Sequence, residues 1–173
     1  ELKYFEDNHQ IKHLTEYQDM NIVRKLLFHE DAPYTIMGIS LYNNVGNQSH
    51  LLMYTPEGHL RMEQIYNLHG GKLKSIHYNE DGSVDVIREF RPIPGEDPSE
   101  TERFRIVQYR DGVPIYQDGN ENEITRQEYL EADNPYAMVG EDEILGVDNS
   151  NYIVSYMDSS QDAIVQANVM RNM

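Results

Sequence analysis

The chain has 173 residues, 39% of them hydrophobic, with a mean hydropathy of −0.70, and it carries a formal charge of −16 at pH 7. That length suffices for one domain with an appendage, and the charge argues against nucleic-acid phosphates or anionic membrane surfaces as general partners. There is no cysteine, which excludes disulfides, thiolate catalysis and cysteine-ligated zinc, and no apolar run approaches the roughly 20 residues that span a bilayer.

The first residues, "ELKYFEDNHQ", show no signal-peptide pattern and no initiator methionine. They read as part of an excised domain or a processed form. Up to Tyr42 the chain predicts two or three strands, broken by the turn-forming stretches "YQDMN" and "HEDAP".

A repeat then takes over. Tyr42, Tyr54, Tyr66, Tyr78 and Phe90 recur every 12 residues, and so do Gly46, Gly58, Gly70 and Gly82. The units "YNNVG", "YTPEG", "YNLHG" and "YNEDG" combine an aromatic with residues that tolerate or preset turn dihedrals. Between them lie extended runs such as "HLRMEQIY" and "SVDVIREF". Seven or eight strand residues plus a turn fill the period, which predicts a β-meander in which each strand pairs antiparallel with its predecessor. Successive strands run in opposite directions. Tyr42, Tyr66 and Phe90 are therefore expected near one end of the sheet, and Tyr54 and Tyr78 near the other. These five aromatics are the candidate binding residues, with two readings open: caps on the turns, or a surface that stacks on a ligand. Alternation within the strands is imperfect, since "HLRMEQIY" places Arg61, Glu63 and Ile65 on one face. A broad twisted sheet follows, much of one face exposed and covered, if anywhere, near its middle.

Downstream, "RPIPGEDPSE" reads as a loop, and Arg110-Asp111-Gly112 as a hairpin turn. Thr125 and Glu128 stand in capping-box register and predict a short helix. "NYIVSYMD" reads as a more buried strand and "SSQDAIVQANVMRNM" as a terminal helix starting at Ser159 or Ser160. The expected fold class is mainly β, an antiparallel meander with 12-residue strand-turn units and one or two short C-terminal helices. A meander domain over residues 1–120 would be followed by a helix-containing extension, 121–173, that packs on the sheet or leads to a neighbouring domain.

The chemistry-bearing residues do not assemble into a motif. His9 and His13 would lie on one strand face about 13 Å apart, too far to chelate one ion. "GEDEILGVD" and "NEDGSVD" lack the oxygen spacing of an EF-hand. No serine sits in a nucleophile elbow, and the clear glycines end turns instead of cradling phosphate. No catalytic, cofactor-binding or metal residue is assigned, and a complete enzyme is not expected.

The units "MYTPEGHL", "IYNLHGGKL" and "HYNEDGSVDVIREF" resemble the extended β-sheet domain inserted in bacterial two-Rossmann-domain glycosyltransferases. Those enzymes act on serine-rich adhesins or wall teichoic acid in Gram-positive bacteria. The resemblance covers roughly residues 4 to 117. It implies a non-catalytic module for acceptor-protein binding or subunit pairing, a cytoplasmic location, and a sugar-nucleotide site elsewhere. Separately, an open sheet edge supports self-association, and no cofactor is assigned. A different class of reading is a secreted or lipid-anchored surface domain that binds a protein or glycan. A lipocalin-like barrel would require the meander to close, which the irregular apolar pattern opposes.

Overall fold

The computed structural model describes residues 1–6, 10–32 and 34–132. The strand expected at "NYIVSYMD" and the terminal helix lie outside these residues. Within them the chain is a meander: β1 (Leu2–Tyr4), β2 (Ile11–Gln18), β3 (Asn21–Phe28), β4 (Ile36–Tyr42), β5 (Gln48–Tyr54), β6 (Leu60–Tyr66), β7 (Lys72–Tyr78), β8 (Val84–Pro92), β9 (Thr101–Arg110) and β10 (Val113–Asp118). All ten form one antiparallel sheet in chain order. One helix follows, α1 (Arg126–Glu131), capped reciprocally by Thr125 and Glu128.

The repeat has a precise local cause. In the turns after β4, β5, β6 and β7, the residue following the tyrosine accepts from the glycine amide three positions on, as in Asn43 to Gly46 and Asn67 to Gly70. Those glycines have φ between 83° and 88°, a left-handed conformation that costs other residues about 1 kcal/mol or more. Each return strand then carries a β-bulge. Met53 pairs with Met62 but Tyr54 with Leu60, leaving Arg61 as the extra residue, and Ser49, Leu73 and Asp85 are extra in the neighbouring hairpins. Such bulges increase local twist. They also set each tyrosine on the same face as the first residue of the next strand.

Register defines two faces. On one, a row of directly paired residues crosses every strand: Leu2, Leu14, Leu26, Ile39, Leu52, Glu63, Ile76, Ile87, Val107 and Tyr116. This is the helix-bearing face. The opposite face carries Leu27, Gly38, Met53, Met62, His77, Val86 and Gln108 in the corresponding row.

Burial is concentrated at the two ends of the strand order. Leu26, Phe28, Ile36 and Ile39 form a cluster with Ile11, against which Tyr34 and Tyr54 pack. Removing such side chains from water contributes about 1.5–3 kcal/mol each. At the other end Val86, Phe104, Ile106 and Val107 are buried, as is Tyr129 of α1. Strands β5, β6 and β7 supply none of the buried apolar side chains, and their buried residues are Ser49 and Ser75. Among the described residues the cover lies at the ends of the strand order, where the connection between β3 and β4 packs at one end and α1 at the other, and the central strands form a single layer.

Candidate binding surface

The five aromatics separate into two sets by position and by face. Tyr42, Tyr66 and Phe90 lie toward one end of the strands and point to the opposite face. Tyr54 and Tyr78 lie toward the other end and point to the helix-bearing face. Each closes its strand except Phe90, since β8 runs on to Pro92. All five are half-buried.

Their partners differ. Tyr54 packs against the Leu26–Ile39 cluster, and burial, with Glu63 nearby, pushes its hydroxyl pKa up. The Tyr78 hydroxyl donates to Glu63 Oε2 at 3.2 Å; burial, then the Glu63 charge, pushes its pKa up to about 12. Tyr66 donates to Gln64 Oε1 at 2.5 Å, and burial raises its pKa. Tyr66 is paired with Lys72, whose ammonium stands 5.3 Å from the centre of the Phe90 ring, close enough for a cation–π contact. The bulge after the turn therefore places a cation between two members of the aromatic set. Lys72 was not a sequence candidate. The signal for it was its fixed place, the first residue after each turn, which reads Gln48, Leu60, Lys72, Val84.

Two turn asparagines were also missed. Asn43 and Asn67 are buried. Asn67 Oδ1 accepts from the amides of His69 and Gly71, while Nδ2 donates to Pro98 O at 2.7 Å. Asn43 does the same within its own turn and donates to Leu68 O at 3.1 Å. Asn47 also reaches Leu68 O. Three successive turns at this end are thereby tied together, which makes it a fixed platform. At the other end Asn79 is exposed and bonds to Ser83 of its own turn. There an open polar cleft, lined by Asn79, Asp81, Ser83, Tyr109 and Asp111, separates the β7–β8 and β9–β10 turns. Hydrogen bonds from the Ser83 hydroxyl and amide hold the Asp81 carboxyl below its ordinary pKa.

On the helix-bearing face, Glu89 accepts from Arg105 Nε at 2.5 Å and from the Tyr129 hydroxyl at 2.9 Å. Arg105 also donates to Tyr129 O and lies 4.6 Å from that ring's centre. These contacts fasten α1 to the sheet. Burial, ahead of Glu89, drives the Tyr129 pKa upward. Among the described residues no group of three or more His, Cys, Asp or Glu side chains converges to hold a metal ion, and no helix is long and apolar enough to cross a membrane. The arrangement offers an open, partly apolar sheet surface with hydrogen-bonding groups at its margins.

No protein-family model matches the chain, and no curated protein matches it. Among solved structures, it is similar to part of a GtfA/B complex bound to UDP and GlcNAc, with 9% identity and a TM-score of 0.41 over 62% of this chain and 22% of that one. It is also similar to part of a structure of accessory secretory proteins 1, 2 and 3 from Streptococcus pneumoniae, with 12% identity and a TM-score of 0.40 over 67% of this chain and 20% of that one. The chain spans about a fifth of the length of either of these two chains.

Proposed function

We propose that the chain is a non-catalytic binding or assembly module that lays an acceptor protein or a partner subunit of a bacterial glycosyltransferase along its sheet. One observation carries this reading. The central strands present aliphatic and methionine side chains on both faces, yet bury none of them fully. Apolar surface left open on a continuous sheet suits macromolecular contact. The resemblance of the aromatic-turn-glycine units to inserted glycosyltransferase β-sheets supplies the partner class, and a cytoplasmic setting goes with it. Met53, Met62 and Tyr66 on the opposite face, with Lys72 and Phe90 beside them, form the proposed contact area. Methionine adapts to varied partners, and the ring–ammonium pair supplies oriented polar contacts.

The test is binding of the full chain to two probes, a serine-rich polypeptide and a Rossmann-fold glycosyltransferase subunit, by calorimetry. Met62→Asp places a charge in the contact area and is expected to weaken binding at least about tenfold, corresponding to 1.4 kcal/mol. Circular dichroism checks that its fold is unchanged. Failure of the unsubstituted chain to bind either probe overturns the reading.

A further inference from the structure

The aliphatic row on the helix-bearing face continues across the central strands through Leu52, Ile76 and Ile87, with Ile65 in the adjoining row. All four remain half-buried. This strip lies between two covers: the Tyr34–Tyr54 packing on one side and α1 on the other. We propose that it is the docking surface for the chain's own residues 133–173, an intramolecular contact that leaves the opposite face for a partner.

Three observations favour this occupant. First, α1 already sits on this face, with Tyr129 5.0 Å from Tyr116 of β10 and bonded to Glu89 of β8. The chain leaves α1 at Ala132, and residues 133–173 follow. Second, that segment supplies matching apolar groups, among them Ile153, Val154, Ile164 and Val165. Third, a second copy is disfavoured by charge. Glu63 is the one acidic member of the row, so a two-fold face-to-face dimer centred there would bring two Glu63 carboxylates together. Each copy also carries −16, and like-charge juxtaposition opposes pairing.

Photocrosslinking tests the inference on the full chain. Ile76→p-benzoylphenylalanine places a photoreactive group in the strip, and Leu52→p-benzoylphenylalanine is the second variant should the first fail to fold. Irradiation of each, mixed with isotope-labelled copies, is followed by peptide mapping. A tethered segment has an effective concentration on the order of millimolar. At micromolar protein the expected product is therefore a link within one chain to a peptide from residues 133–173, in a yield that does not change on dilution. Met62→p-benzoylphenylalanine, on the opposite face, is expected to give about tenfold less of it, the yield expected when reach is limited to transient opening. Links between labelled and unlabelled copies, or no link to residues 133–173, overturn the proposal. Neither result depends on binding to a polypeptide or glycosyltransferase probe, so the two readings fail separately.

Discussion

The Tyr129 hydroxyl donates to Glu89 across 2.9 Å, and that carboxylate also accepts from Arg105 at 2.5 Å. One acid of β8 thus holds both the helix and the neighbouring strand. Tyr129→Phe keeps the ring against Tyr116 and removes only the hydroxyl. A hydrogen bond to a charged group contributes about 1.5–3 kcal/mol, so a loss of about 2 kcal/mol is expected. Tyr129→Ala also removes a buried ring and should cost about 3–5 kcal/mol. Leu130, 58% exposed on the same helix, should tolerate alanine within about 0.5 kcal/mol. Urea denaturation of the three variants measures the order.

Asn67 and Asn79 occupy equivalent positions in the repeat but carry different loads. Asn67 bridges its turn to Pro98 and satisfies two amides, whereas Asn79 serves its own exposed turn. Asn67→Ala leaves buried polar groups unsatisfied and is expected to cost about 2 kcal/mol or more. Asn79→Ala should stay within about 0.5 kcal/mol. Hydrogen exchange should rise at the 67–71 and 93–100 turns together in the first variant, because one side chain links them. Equal stability losses in the two variants would refute this division of labour.

The contrast also shows what the sequence reveals. Chain-order pairing, the glycine turns and the capped helix are all local features, and each was legible in the period or in the spacing of Thr125 and Glu128. Strand number was not, since two or three strands were expected up to Tyr42 where the chain forms four. The division of Tyr54 and Tyr78 from Tyr42, Tyr66 and Phe90 by end of the sheet was legible too. Their division by face was not. It depends on the extra residue in each return strand, and nothing in a run such as "HLRMEQIY" marks Arg61 as unpaired. Nor could the period separate Asn67 from Asn79, since the difference lies in the proximity of a turn 31 residues away. The cover at the sheet ends is likewise a product of long-range packing, through Tyr54 and Tyr129.

Gly71 and Gly58 make opposite demands. A Cβ on Gly71 would lie 2.8 Å from Asn67 Nδ2, Pro98 O and Thr101 Cγ2, at the centre of the linked turns. At Gly58 the space is open and φ is +88°. Gly58→Ala should therefore cost only its backbone strain, about 1–2 kcal/mol. Gly71→Ala forces the backbone apart and should cost about 1–3 kcal/mol. It should also raise exchange at the 93–100 turn, which Gly58→Ala leaves unchanged. That second measurement separates the mechanisms where the energies overlap.

Alkaline pH tests the Tyr78–Glu63 contact. Tyr78 is pushed up to about 12 in the folded chain, against about 10 for an unrestrained tyrosine. Above pH 10 the unfolded chain gives up this proton while the folded chain keeps it. The folded state then binds more protons, so stability falls as pH rises. The contribution is complete below pH 10 and is lost as pH climbs toward 12. Tyr78→Phe removes both the hydrogen bond and the titration. At pH 8 the variant should be the less stable protein, because Glu63 loses a donor. Between pH 10 and 12 its stability should fall less steeply than that of the unsubstituted chain, so the two urea midpoints converge. A gap that stays constant from pH 8 to pH 11.5 would show that the hydroxyl ionises alike in both states and would refute the raised pKa.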